Sequence, residues 1–262
     1  MKNTKIISSK KNLQVKNISQ LIKSSKHRKK QGQYVVEGIK MVEEAVDEGL
    51  VFKVYASESF YKKREDTNFF DHLDYEVLTD SIFNSISDTM TPQGLMGIVK
   101  KNEYEIEQIL TKDNAFLLIL EDIRDPGNLG TMIRAAEGAG VTGIIMNNFC
   151  VDLYNPKTIR SSMGSIFRMP VCIAKDFHYI LEKVKKSGIT LYGAHLKGKS
   201  YFDEKFNKKT AFIIGNEANG LSKESSTMAD RWIKIPMEGK VESLNAAIAA
   251  TILMYEKARQ SR

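Results

Sequence analysis

From Ala115 onward, apolar runs of strand length alternate with stretches of helical spacing, and this alternation restricts the fold more than any other feature of the chain. Ala115–Leu120 is apolar at every position, as a strand buried on both faces requires. Asn128–Gly138 reads as a helix, Gly143–Met146 as a strand, Pro156–Ser165 as a helix and Met169–Ile173 as a strand. Tyr179–Lys186 is helical, Thr190–His195, Ala211–Ile214 and Trp232–Ile235 are strand-like, and Ser243–Arg259 is a long helix rich in Ala, Ile and Leu. Such a text predicts an α/β fold with a mostly parallel sheet covered by helices.

A smaller α/β unit is expected before it. Tyr34-Val35-Val36 leads into apolar residues at helical spacing that end near Gly49, Val51–Ala56 and Tyr75–Leu78 read as strands, Ser81–Ser87 as a short helix and Gly94–Val99 as a closing strand. The charged stretch 101–114 is the expected linker, with room for one helical turn. The expected division is a basic extension over 1–30, a small domain over 31–100, and a larger one over 115–262.

The net charge of +7 is concentrated at the start. Residues 1–36 hold ten cations, Lys2 and Lys5 among them, and no acid, so the remainder of the chain is net −3. Lys26, Arg28, Lys29 and Lys30 are the expected phosphate contacts, since each phosphate that a cation neutralises releases a condensed counterion; a solvated tail that aids solubility is the plainer alternative. No run reaches the ~18 apolar residues of a membrane span. The lysine-rich start lacks the apolar core of a secretory signal, so a cytosolic location is expected. Cys150 and Cys172 lack the spacing of a zinc site and the number for a disulfide framework, and are expected to be buried free thiols.

Three segments carry polar groups where a parallel sheet binds ligands, at the carboxyl ends of its strands. Asp125-Pro126-Gly127-Asn128-Leu129-Gly130 is a breaker-rich turn into the helix that leads to Arg134, and Asn128 is a candidate cap for it. It is not a G-x-G-x-x-G fingerprint, which argues against a dinucleotide site. Gly215-Asn216-Glu217-Ala218-Asn219-Gly220 follows a strand and offers close backbone approach together with polar side chains. Ile235-Pro236-Met237 ends the next strand, and Ser243-Leu244-Asn245 opens the last helix, with Ser243 placed to cap it. Each segment taken alone is also compatible with an ordinary turn, cap or surface carboxylate.

In this order and spacing the three segments resemble the motifs of the SpoU (TrmH) family of RNA ribose methyltransferases, within the SPOUT superfamily. The first motif is matched by Asn128, Gly130 and Arg134, the second by Gly215, Glu217, Asn219 and Gly220, the third by Ile235-Pro236-Met237 and Ser243-Leu244-Asn245. Residues from about Gln33 to Lys100, with Val36-Glu37-Gly38, are similar to the L30e-like substrate-binding domain that often precedes this catalytic domain. The resemblance implies a SPOUT-type domain with a trefoil knot, a homodimer, no metal, and transfer of the methyl of S-adenosylmethionine to a ribose 2′-hydroxyl of structured RNA. Ribosomal RNA, 23S above all, is the first expected substrate and transfer RNA the second; a non-catalytic RNA-binding factor and base methylation are the alternatives. It further implies that Gly215, Gly220, Ile235, Met237 and Leu244 hold the cofactor, and that Arg134, Asn128, Glu217, Ser243 and Asn245 form the catalytic set.

Overall fold

A computed structural model describes residues 6–65 and 67–262. The chain divides into two compact units, one formed by 1–102 with 154–167, the other by 103–153 with 168–262. Among the described residues no helix is long and apolar enough to cross a membrane.

The first unit holds a five-stranded mixed sheet: β1 (Ile6–Ile7), β2 (Gln33–Glu37), β3 (Val51–Ser57), β4 (Tyr75–Leu78) and β5 (Leu95–Lys100), in the order β1-β4-β3-β5-β2. β5 runs antiparallel to both neighbours, and the other pairings are parallel. Two helices, Leu13–Lys23 and Ser25–Gln31, occupy most of the stretch expected to be a basic extension. Val15, Ile18, Leu21 and Ile22 recur at helical spacing, and burying them against Val35, Tyr55, Phe83 and Met96 makes the first helix part of the core. Lys26, Lys29 and Lys30 are exposed on the second helix. Arg28 corrects the expectation of a phosphate contact: it is only 3% exposed, and its guanidinium donates to the carbonyls of Leu21 (2.6 Å) and Ile22 (2.9 Å). Those are end-of-helix carbonyls with no intrahelical partner, so the cation closes a helix terminus instead of meeting solvent. Lys2 and Lys5 lie outside the described residues.

The second unit is a six-stranded, wholly parallel sheet of β6 (Phe116–Leu120), β7 (Gly143–Asn147), β8 (Val171–Ala174), β9 (Thr190–Ser200), β10 (Thr210–Ile214) and β11 (Arg231–Lys234), in the order β11-β9-β10-β6-β7-β8. β6, β7 and β10 are buried at every position because helices cover both faces. Leu117, Ile119, Ala211 and Ile213 meet Ile180, Leu181 and Val184 on one side. Phe116, Leu118, Phe212 and Ile214 alternate to the other side, where helices Pro126–Ala139 and Ala246–Gln260 pack on the sheet and on each other. Within the expected linker, helix Ile106–Leu110 buries Ile106 and Ile109 in this core, so the segment is anchored. The single helix expected over Pro156–Ser165 is broken: Pro156–Ser162 ends where Met163 and Gly164 take positive φ, and Ser165–Arg168 follows.

Candidate active site

The strands after β6 step outward in one direction, to β7 and β8, whereas β9, β10 and β11 lie on the other side of β6. The sequence therefore reverses direction between β6 and β10, and the crevice beyond their carboxyl ends is where such sheets bind ligands. The loops that follow these two strands contain the first two sequence segments.

After β6, Asp125 and not Asn128 caps helix Pro126–Ala139, its side chain accepting from the Asn128 backbone N–H at 2.8 Å with Pro126 in the first turn. The Asn128 side chain is thereby free for other work. Its amide Nδ2 donates to Glu217 Oε1 at 3.0 Å, and its Oδ1 accepts from Asn245 Nδ2 at 3.0 Å. Asn245 in turn is the N-cap of helix Ala246–Gln260, its Oδ1 accepting from the N–H groups of Ala247 (2.9 Å) and Ile248 (3.3 Å). Asn245, not Ser243, is thus the cap, because the helix begins at Ala246 and not at Ser243. One chain of side-chain hydrogen bonds, Asn245 to Asn128 to Glu217, ties together all three segments, which lie as much as 117 residues apart. Both asparagines use donor and acceptor at once, which neither a carboxylate nor a hydroxyl of similar reach reproduces in this geometry.

The Gly215–Gly220 loop is closed on itself by reciprocal backbone bonds between Asn216 and Gly220, at 3.0 and 2.8 Å. Asn216 Oδ1 accepts from the N–H groups of Ala218 and Asn219, while its Nδ2 donates to the Asp122 carbonyl at 2.9 Å. Gly215 is buried, and a Cβ there would lie 2.2 Å from the Gly220 carbonyl carbon, so backbone meets backbone where only glycine fits. Gly220 has φ +67 with open space around it, a conformational requirement and not a steric one. Glu121, absent from the sequence-based set, is only 7% exposed at the end of β6 and accepts from Ser222 N (3.0 Å) and Ser225 Oγ (2.7 Å). A buried carboxylate needs such donors, and here they fix the far side of the Gly215–Gly220 loop. Its signal in the sequence was an acid directly after an uninterrupted apolar strand.

Ile235, Met237 and Leu244 are half-buried, and among the described residues the backbone groups of 235–244 enter no backbone–backbone hydrogen bond. A half-buried apolar wall with unused main-chain donors and acceptors suits a flat heterocycle. Ser243 is exposed. Arg134 is exposed on helix Pro126–Ala139 and, among the described residues, has neither a hydrogen bond nor an ion pair. Below the loops Cys150 donates to the Leu120 carbonyl, and burial pushes its thiol up to about 11, which disfavours the thiolate. Burial also raises the Cys172 thiol.

An all-parallel α/β unit with a glycine loop, an exposed unpaired arginine and two capped helices converging at its strand-order reversal has the build of a ligand-binding α/β enzyme. The SpoU rRNA Methylase family model matches residues 115–255, and the MRM3-like substrate binding domain matches residues 12–97. The chain belongs to the SpoU rRNA methylase family. It is 32% identical over 253 residues to the 23S rRNA (guanosine(2553)-2′-O)-methyltransferase RlmP of Bacillus subtilis, covering 96% of this chain and 98% of that protein. It is 30% identical to human mitochondrial rRNA methyltransferase 3, covering 92% of this chain and 71% of that one. The crystal structure of the SpoU methyltransferase AviRb from Streptomyces viridochromogenes in complex with the cofactor AdoMet superposes with a TM-score of 0.86, at 27% identity, covering 96% of this chain and 98% of that one.

Proposed function

We propose that this protein transfers the methyl group of S-adenosylmethionine to the 2′-hydroxyl of a ribose in ribosomal RNA, with 23S RNA the first candidate and transfer RNA the second. The observation that carries the proposal is the Asn245–Asn128–Glu217 chain, which unites the three segments of the family's motifs at the strand-order reversal. Its relatives support the substrate class: RlmP and the 23S rRNA (uridine(2479)-2′-O)-methyltransferase of S. viridochromogenes are both named for 2′-O-methylation of 23S RNA.

Gly215, Gly220, Ile235, Met237 and Leu244 would hold the cofactor, the glycine pair by its tight backbone turn and the other three by apolar surface with unused main-chain groups. Bound there, S-adenosylmethionine supplies an electrophilic methyl group. The remaining contribution of the chain is positional. Arg134 carries a guanidinium that keeps its charge at neutral pH, so it acts as a clamp on the phosphate next to the acceptor ribose and polarises the hydroxyl, whose proton passes to solvent or phosphate. Asn128 holds Glu217 and Asn245 in register, and Ser243 reaches the substrate from the exposed loop that precedes the cap of the last helix.

The proposal includes a first unit of L30e-like type that binds RNA, supported by its mixed sheet, by the substrate-binding family model and by the exposed Lys26, Lys29 and Lys30. It includes a trefoil knot, supported by the path from β11, beyond β9, back to a helix that packs against β10. It also includes a homodimer, supported by Ile248 and Tyr255, two large side chains exposed seven residues apart on one face of helix Ala246–Gln260, and action in the cytoplasm. The test is an RNA with 2′-deoxyribose at the mapped target nucleotide. It binds like the normal RNA and accepts no radiolabelled methyl; transfer at the normal rate would reject the ribose assignment.

A further inference from the structure

Strand β9 does not run evenly beside β11. Tyr192 and Gly193 pair with Arg231 and Trp232, but the next two β11 residues, Ile233 and Lys234, pair with Lys199 and Ser200. Residues Ala194–Gly198 therefore leave the ladder as a five-residue excursion opposite a single step of β11. The excursion is held by close contacts. The Lys197 N–H donates to His195 Nδ1 at 3.1 Å, and Gly198 lies so close to β11 that a Cβ would stand 2.6 Å from the Trp232 carbonyl carbon.

The excursion lays the His195 imidazole over the Trp232 indole, with ring centroids 4.4 Å apart and planes 20° from parallel. Trp232 Nε1 donates to the Ser226 carbonyl at 2.9 Å, which fixes the ring in its plane. The indole is nonetheless 40% exposed, and Leu196 beside it is 64% exposed. Lys197, Lys199 and Lys234 are exposed and, among the described residues, have no carboxylate partner. Of the flanking acids, Glu204 is paired with Arg231 and Asp230 with Lys185. All this lies at the carboxyl ends of the strands, the end that bears the Gly215–Gly220 loop.

A fixed, part-exposed aromatic stack ringed by unpaired lysines matches what a single-stranded nucleic acid needs: a flat apolar face for a base and cations for the flanking phosphates. Lysine is depleted at protein–protein interfaces, whereas three exposed lysines flank this stack. We propose that the His195–Trp232 stack and Lys197, Lys199 and Lys234 form a platform on which an unpaired base of the substrate RNA stacks. This rests on the RNA methyltransferase assignment made above.

Trp232 is the only tryptophan of the chain, so its fluorescence reports on this platform alone. The full-length protein is titrated with a short single-stranded oligoribonucleotide of mixed sequence and with its abasic counterpart, binding being followed independently by anisotropy of an end label on the RNA. The base-bearing RNA quenches Trp232, and the abasic RNA binds about tenfold more weakly without quenching. Trp232→Leu and His195→Ala raise KM for in vitro transcribed 23S RNA about tenfold while kcat and S-adenosylmethionine affinity stay unchanged, and Trp232→Phe recovers most of the loss. Saturating RNA binding with no change in Trp232 emission, together with unchanged KM in His195→Ala, overturns the platform and leaves the methyltransferase assignment intact. Absence of both RNA binding and methyl transfer in the unaltered protein would overturn that assignment, and the platform with it.

Discussion

Asn245→Asp exchanges one NH₂ for one oxygen and separates the two roles of this residue. The helix cap survives, because an Asp carboxylate accepts from the N–H groups of Ala247 and Ile248 as Asn245 Oδ1 does, and a negative charge at a helix start is favourable. The cap itself therefore changes stability by no more than about 0.5 kcal/mol. The donor to Asn128 Oδ1 disappears. Asn128 can satisfy the new carboxylate only by turning its amide over, which presents its oxygen to Glu217 and breaks the second bond as well. One neutral hydrogen bond of about 1 kcal/mol and one to a carboxylate of about 1.5 kcal/mol or more are lost. Both lie near solvent, so the lower figures apply, and a total of about 2 kcal/mol corresponds to a loss of roughly 30-fold in kcat/KM. Calorimetric melting and single-turnover methyl transfer to 23S RNA measure the two halves. Unchanged activity would show that the three-residue chain has no part in function, and a fall in stability well beyond the about 2 kcal/mol of the two lost bonds would show that the cap itself had failed.

Arg134→Ala is expected to lower methyl transfer at least 100-fold with S-adenosylmethionine affinity within severalfold, since the side chain has no partner in the described protein; parallel loss of both, by titration calorimetry, would place Arg134 on the cofactor instead. Gly215→Ala should abolish cofactor binding because its Cβ would meet the Gly220 backbone at 2.2 Å, whereas Gly220→Ala meets nothing and costs only the ~1–2 kcal/mol of its left-handed φ. Replacing Lys26, Lys29 and Lys30 together with Ala should flatten the log–log salt dependence of RNA binding by about 2–3 units without unfolding the protein, while Arg28→Ala, which strips the Leu21 and Ile22 carbonyls of their donor, should instead cost about 1–3 kcal/mol of stability by denaturant titration. The Arg259 hydrogen bond holds the Glu256 carboxyl down at about 2, below its ordinary 4.5, so its contribution is present above about pH 4.5 and lost as pH falls toward about 2. The stability gap between the protein and Glu256→Gln should therefore close over that window in acid denaturation.

Strands buried on both faces were the most legible elements, since a largely apolar run is what satisfies that environment: Phe116–Leu120 and Gly143–Asn147 lie within a residue of their expected bounds. The polar motif segments were legible as well, and the structure draws Asn128, Glu217 and Asn245 into contact. Who caps what was not legible. Asp125 and Asn128, like Ser243 and Asn245, are all competent caps; tertiary contacts draw off the Asn128 side chain and leave Asp125, whereas Asn245 caps because the last helix begins at Ala246. The lysines over residues 10–30 obscured a helical apolar period at Val15, Ile18, Leu21 and Ile22 that was present in the text. The long excursion in β9 was hidden for a different reason: register between two strands distant in sequence leaves no local trace.

The strand order also sets a sequence of events. Helix Ala246–Gln260 comes after every strand of the sheet, yet it packs against the central β10 and against helix Pro126–Ala139, and its cap supplies the Asn245 amide. During synthesis the Gly215–Gly220 loop and Asn128 emerge and can fold while that amide is still missing. Contacts of such long sequence separation form late. On the proposed assignment, in which Leu244 helps hold the cofactor, binding competence waits for this last segment, and a cofactor that binds only the finished arrangement would stabilise it. Ligand-dependent protection from proteolysis should therefore be strongest not at the glycine loop but at the start of helix Ala246–Gln260.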